Sequence, residues 1–170
     1  HRGDDFTQVL RNQDLQQIGR TVLGTAATSI SVSIPPKRFL KIFISWGAKT
    51  GVSNDFLRFN NISTGEAYTF INSGAAARTS RNEIDVRDAA NLALGGFTVI
   101  EVANNLSSIV KPVTIHTVDR ITSAATAQTF YQIFGTFVNT TLPITRIDLV
   151  SSDADTYPVN TELLVFSSKE

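Results

Sequence analysis

Histidine is the side chain whose ordinary pKa lies near neutrality, and this chain has only His1 and His116 with which to build a Ser-His-Asp site. His116 stands in an alternating apolar run beside Ile115 and Val118, with Asp119 close by, yet no G-x-S-x-G nucleophile elbow occurs anywhere. It therefore reads as an ordinary strand histidine. A histidine zinc site needs clustered ligands, and two histidines so far apart do not supply them. The absence of Cys removes thiolate ligands, thiol nucleophiles and disulfides together. Asp153 and Asp155, with Asp148 and Asn160 near them, could present oxygen ligands to calcium, but the set falls short of a complete calcium loop, and Asp is equally at home in turns. Nothing singles out two of the fifteen acidic residues as a glycosidase pair. The sequence thus predicts no catalytic residue, no bound metal and no cofactor, and the protein is expected not to be an enzyme.

Aromatic residues offer a different chemistry. Across residues 128–138, Phe130 and Phe134 share one face of an extended chain, while Tyr131, Ile133 and Phe137 share the other. Both faces need cover, so Phe130, Tyr131, Phe134 and Phe137 are the candidate interface residues. The cover is either a loop or arm of the same chain or another subunit, because large exposed apolar patches mark interfaces. Trp46, Tyr68, Tyr131 and Tyr157 are the only Trp and Tyr that could stack on a sugar.

Other signals are weak or negative. Arg2-Gly3-Asp4 spells an integrin-type tripeptide, and Asn61-Ile62-Ser63, Asn105-Leu106-Ser107 and Asn139-Thr140-Thr141 match the glycosylation pattern, at a frequency that chance supplies. Fifteen basic residues balance fifteen acidic ones and are scattered, so nucleic acid has no electrostatic footprint to bind. No run reaches the ~18 apolar residues of a membrane span, and the opening residues are too polar for a signal peptide, so a soluble protein is expected. Met is absent even from position 1, which implies a chain lacking at least its initiator.

The elements that must position these residues read as strands. Period-two alternation rich in Val, Ile, Thr and Phe marks residues 18–25, 28–34, 39–46, 55–60, 67–71, 97–103, 109–118, 129–138, 144–150 and 162–167. In 28–34, Ile30, Val32 and Ile34 oppose Ser29, Ser31 and Ser33, and Pro35-Pro36 ends the run. In 39–46, Leu40, Ile42, Ile44 and Trp46 fill one face while Phe39 and Phe43 make the other partly apolar, as expected of a central or doubly covered strand. Between residues 72 and 96 the pattern is mixed, and we expect a strand over 83–87 followed by a short irregular or helical turn through Leu92. Residues 1–17 lack periodicity and read as an arm with one helical turn at 9–15. Short strands at spacings of about 8 to 12 residues, with no long helix, predict one all-β domain over 18–170: an antiparallel two-sheet β-sandwich, jelly-roll-like, with an N-terminal arm.

Several segments, in order, resemble a family of small β-sandwich proteins encoded by tailed bacteriophages. They are Arg38-Phe39-Leu40-Lys41-Ile42-Phe43-Ile44; Leu57-Arg58-Phe59-Asn60-Asn61 with Gly65-Glu66-Ala67-Tyr68; Phe97-Thr98-Val99-Ile100-Glu101-Val102-Ala103-Asn104 with Lys111; Ile144-Thr145-Arg146-Ile147-Asp148-Leu149; and the ending from Tyr157 to Phe166. The chain departs from that pattern with Asn160 in place of a turn glycine and with Val165-Phe166-Ser167 in place of leucine-tyrosine-glycine. The resemblance implies a virion structural protein, foremost a capsid decoration or cement subunit, located in the virion after assembly in the host cytoplasm. Its partners would be the major capsid protein, other virion subunits and further copies of itself, with no nucleic acid and no membrane. The alternative is a tail-fibre module binding a receptor or cell-surface glycan.

Overall fold

The computed structural model describes residues 15–49, 54–63, 66–72, 75–79, 84–87, 95–103, 110–119, 129–138, 141–152 and 154–168. They form β1 (Leu15–Val22), β2 (Ser29–Ser33), β3 (Phe39–Gly47), β4 (Asp55–Phe59), β5 (Glu66–Asn72), β6 (Ala75–Thr79), β7 (Ile84–Arg87), β8 (Gly95–Ala103), β9 (Lys111–Asp119), β10 (Thr129–Phe137), β11 (Arg146–Ser151) and β12 (Glu162–Ser168). A large sheet runs β1-β12-β3-β8-β9-β10-β5-β6 and a small one β2-β11-β4-β7, with every pairing antiparallel.

Setting aside β5, β6, β9 and β10 leaves eight strands in chain order, arranged first-eighth-third-sixth in one sheet and second-seventh-fourth-fifth in the other. That is the strand order of a jelly roll. The β5–β6 and β9–β10 pairs are insertions that lengthen one sheet only. The lengthened end is not left bare: Phe137 of β10 meets Phe59 of β4 edge-on, with ring centroids 5.4 Å apart. Toward the other end of β9, Thr98 donates to Thr117 Oγ1 at 2.7 Å, because the Thr117 proton goes to the Val86 carbonyl at 3.0 Å. Two buried hydroxyls thereby tie β8 and β9 to β7 of the opposite sheet.

Inward parity is mostly apolar. Ile30 and Val32 of β2, Leu40, Ile42, Ile44 and Trp46 of β3, Leu57 and Phe59 of β4, Ile147 and Leu149 of β11, and Leu163 and Val165 of β12 are all buried in one core. Two glycines are dictated by contact. A Cβ on Gly19 would lie 2.8 Å from methyls of Val32 and Ile34, where β1 passes close over β2 beside the bulge between Gln17 and Gly19. Gly95 adopts φ +132°, and a Cβ there would lie 2.8 Å from the Trp46 carbonyl.

The expected sandwich is what the chain forms, and all the predicted strands have counterparts. Differences are local. Leu15, Gln16 and Gln17 belong to β1 and pair with Ser168, Ser167 and Phe166, so regular pairing begins inside the span read as an arm. The strand β6 was not expected, because Ala-Ala-Ala-Arg-Thr has no β-branched alternation to announce it. Residues 1–14, most of the helical turn expected over 9–15, and the turn expected through Leu92 lie outside the described residues.

Candidate interface on the outer face of the large sheet

The two outer faces differ sharply in chemistry. On the small sheet, Asp148 sits opposite Ser31 on one side and Arg58 on the other, and Arg146 Nε donates to Asp148 Oδ1 at 2.8 Å. Ser29 and Ser33 flank them and Val150 pairs with Phe56 at one end, so this face is largely polar.

On the large sheet, residues of outward parity line up across the strands in three rows. The middle row is Leu164, Phe43, Val99, His116 and Gln132. Toward one end lies Ser45, Phe97, Val118 and Phe130, and toward the other Phe166, Lys41, Glu101, Thr114 and Phe134. Rings join neighbouring rows: Phe43 stacks on Phe97 at 6.0 Å, Phe166 meets Phe43 edge-on at 5.6 Å, and His116 stacks on Phe130 at 6.1 Å. Even so, Phe97 keeps 45% of its surface exposed, Val118 42%, Phe130 42% and Phe134 45%. Phe97, Val118 and Phe130 are not scattered single residues but neighbours in register, which is the pattern of an interaction surface. The charges on the face are paired: Glu162 Oε1 lies 2.6 Å from Arg20 Nε of β1, and Lys41 Nζ lies 3.0 Å from Glu101 and 5.9 Å from the Phe43 ring. Beyond that pair the side chains shorten to Thr114, Pro112 and Ala103. They leave an open groove of about 720 Å³ bounded by Phe39, Leu15 and Ser168.

A second cluster is buried at one end of the sandwich. Lys49 Nζ lies 2.5 Å from Asp55 Oδ1 and 3.2 Å from Ser151 Oγ, and the Tyr157 hydroxyl donates to the same Asp55 oxygen at 2.6 Å. The Lys49 ammonium also stands 4.5 Å from the centre of the Tyr157 ring. With both charged side chains enclosed, no substrate reaches them, and the group acts as a staple. It joins the start of β4 and the end of β11 to the connections that follow β3 and β11. Among the described residues Lys111 is the other enclosed cation, 5.6 Å from the Phe137 ring centre, and burial pushes its pKa below the usual lysine value.

Of the four interface candidates, Phe130 and Phe134 lie on the exposed face, whereas Tyr131 and Phe137 belong to the core and present nothing to a partner. Trp46 and Tyr157 are core residues as well. Three of the four side chains available for sugar stacking are therefore enclosed, and the side chain of Tyr68 lies outside the description. His116 is a strand residue whose ring neighbour is Phe130. Asp148 is held by Arg146, and Asp153 lies outside the described residues. Among the described residues no three His, Asp or Glu side chains are grouped to hold a metal. The Arg2-Gly3-Asp4 tripeptide, Asn105 and Asn139 lie outside the description, and Asn61 is exposed in the turn after β4.

The residues overlooked from sequence are Phe97, Val118 and Phe166, whereas Phe43 is legible as the apolar outer side of its strand. Their signal was parity: each is an outward position occupied by a large apolar side chain, in strands whose inward positions already suffice for a core. The fold and face define a jelly-roll sandwich with one largely polar and one aromatic outer surface. Compared with protein-family models and with curated proteins, the chain matches none.

Proposed function

We propose that this protein is a non-catalytic structural subunit of a virion, a decoration or cement protein of a tailed bacteriophage that binds and stabilises the shell, and that its assembly runs through the outer face of the large sheet. The observation that carries the assembly role is the aromatic face, with Phe97, Val118 and Phe130 exposed in one row and Phe134 exposed two rows further along β10, beside a small sheet whose outer face is largely polar. The virion is suggested by the resemblance of the strand and turn segments. In the particle the partners are the major capsid protein and neighbouring subunits. Glycan recognition is disfavoured by the burial of Trp46, Tyr131 and Tyr157. The test is electron microscopy of purified particles with and without the protein, alongside the double variant Phe97→Lys/Phe130→Lys. Many copies on the shell, lost in the variant, are expected. A few copies at the tail tip would move the reading to host recognition, and binding that the variant leaves intact would remove the face from the mechanism.

A further inference from the structure

The shape of the aromatic face specifies what can cover it. Its profile along the strands is a ridge at the row of Phe97, Val118 and Phe130, a middle row at Phe43, Val99 and His116, and a groove starting at the row of Lys41, Glu101 and Thr114. Ridge and groove lie on opposite sides of the middle row. A two-fold rotation about an axis lying in the interface along that middle row turns one into the other while keeping each strand opposite its own copy.

We propose that two copies of this chain pack face to face through the outer surface of the large sheet, about a two-fold axis along the row Phe43, Val99 and His116. The ridge of each copy then enters the groove of the other: Phe97 and Val118 descend over Glu101 and Thr114 of the second copy, and Phe130 meets Phe134 of the second copy. This rests on the reading that the face is an assembly surface, and it names the occupant.

Charge and area favour the same occupant. The chain has no net charge at neutral pH, so copies do not repel one another. The charges of the face are paired among themselves, Lys41 with Glu101 and Glu162 with Arg20 of β1, which leaves little for an oppositely charged partner to read. Its five strands β12, β3, β8, β9 and β10 at ~4.8 Å spacing, with seven to nine residues at ~3.3 Å each, span roughly 600–700 Å² before the relief of the side chains is counted. A standard protein interface takes about 800 Å² from each partner.

The lack of cysteine allows a clean test. Sedimentation should show two chains of 18.5 kDa per particle. Phe97→Lys and Phe130→Lys, which leave the core untouched, should each weaken the dimer by about 30-fold or more while circular dichroism remains that of the native sheet. A short bismaleimide should join Val99→Cys to itself, since that residue lies on the axis. Ser31→Cys, on the opposite face, should not be joined. A wild-type chain that stays monomeric at high micromolar concentration overturns the proposal, as does cross-linking through Ser31→Cys and not Val99→Cys. If the chain is monomeric but Phe97→Lys still abolishes shell binding, another subunit occupies the face and the functional reading survives. If neither property changes, both fall.

Discussion

Replacing Asp55 with Ala tests whether the buried staple is held by charge. The carboxylate is enclosed and accepts from Lys49 Nζ at 2.5 Å and from the Tyr157 hydroxyl at 2.6 Å. Removing it leaves an enclosed ammonium whose charge has lost its counter-ion, a change that costs about 3–5 kcal/mol. The Tyr157 hydroxyl also loses its acceptor, which by itself costs ~1–3 kcal/mol, although the two losses share one site and do not add fully. About 4 kcal/mol is therefore expected, against a total of roughly 5–15 kcal/mol for an ordinary domain. Urea unfolding followed by tryptophan fluorescence measures it directly, since the single Trp46 lies in the core. The comparison that isolates charge is Lys49→Met/Asp55→Leu. Exchanging both ions for apolar side chains removes the desolvation penalty together with the attraction, so the double variant should recover most of the loss. An Asp55→Ala cost below about 1 kcal/mol, or a double variant no more stable than Asp55→Ala, refutes the reasoning.

Ile42→Ala and Ile44→Ala should each cost about 2–5 kcal/mol in the same assay, because both side chains are wholly enclosed between the sheets; a change under about 0.5 kcal/mol would contradict that burial. For Lys111 the sign follows from burial lowering its pKa in the fold. Between that lowered value and the ordinary lysine value of about 10.4 the unfolded chain binds more protons than the folded one, so stability from this group rises with pH across the window. The stability of wild type relative to Lys111→Met should accordingly increase as pH is raised from neutral toward about 10.4; a constant difference would exclude the mechanism.

How legible the fold was depended on what each strand had to satisfy. Strands with one buried face were readable, as β2 shows: its serines separate from Ile30 and Val32 in the structure as they do in the sequence. β6 was not readable, since three alanines and an arginine carry no period, and its place is set by pairing to β5. The turn before β12 shows the opposite case, where an asparagine stands in a conformation that would also suit glycine. Asn160 takes φ 68°, a left-handed conformation that asparagine tolerates far better than most residues with a side chain. Similarly Asn60, at φ 55°, uses its side chain to accept from Thr145 N at 2.9 Å and Arg146 N at 3.1 Å. An asparagine there was visible in the sequence, but the segment it anchors lies far along the chain and could not be read. The buried Lys49–Asp55 pair was hidden for a related reason. Its partners Ser151 and Tyr157 are distant in sequence, and Lys and Asp near a turn ordinarily signal solvent.

The face itself was half legible, and the missing half explains why it is informative. A two-sheet fold constrains inward parity, because those side chains make the core. Outward parity is left to solubility, and the small sheet puts Ser29, Ser31, Ser33, Arg58 and an enclosed Asp148 there, with Val150 and Phe56 as its apolar members. On β8, β9 and β10 the outward positions include Phe97, Val118, Phe130 and Phe134. None of the four lies in the buried core, so core packing does not account for their size. Leaving such side chains in water forgoes roughly 25 cal/mol for each Å² of apolar surface, a loss that serine would avoid. The patch can be read only once the register of β3, β8, β9 and β10 is known, because its rows are assembled from segments that the sequence keeps apart. On the proposed assembly their arrangement is explained by what covers them, and the covering surface must offer a groove where this one offers a ridge.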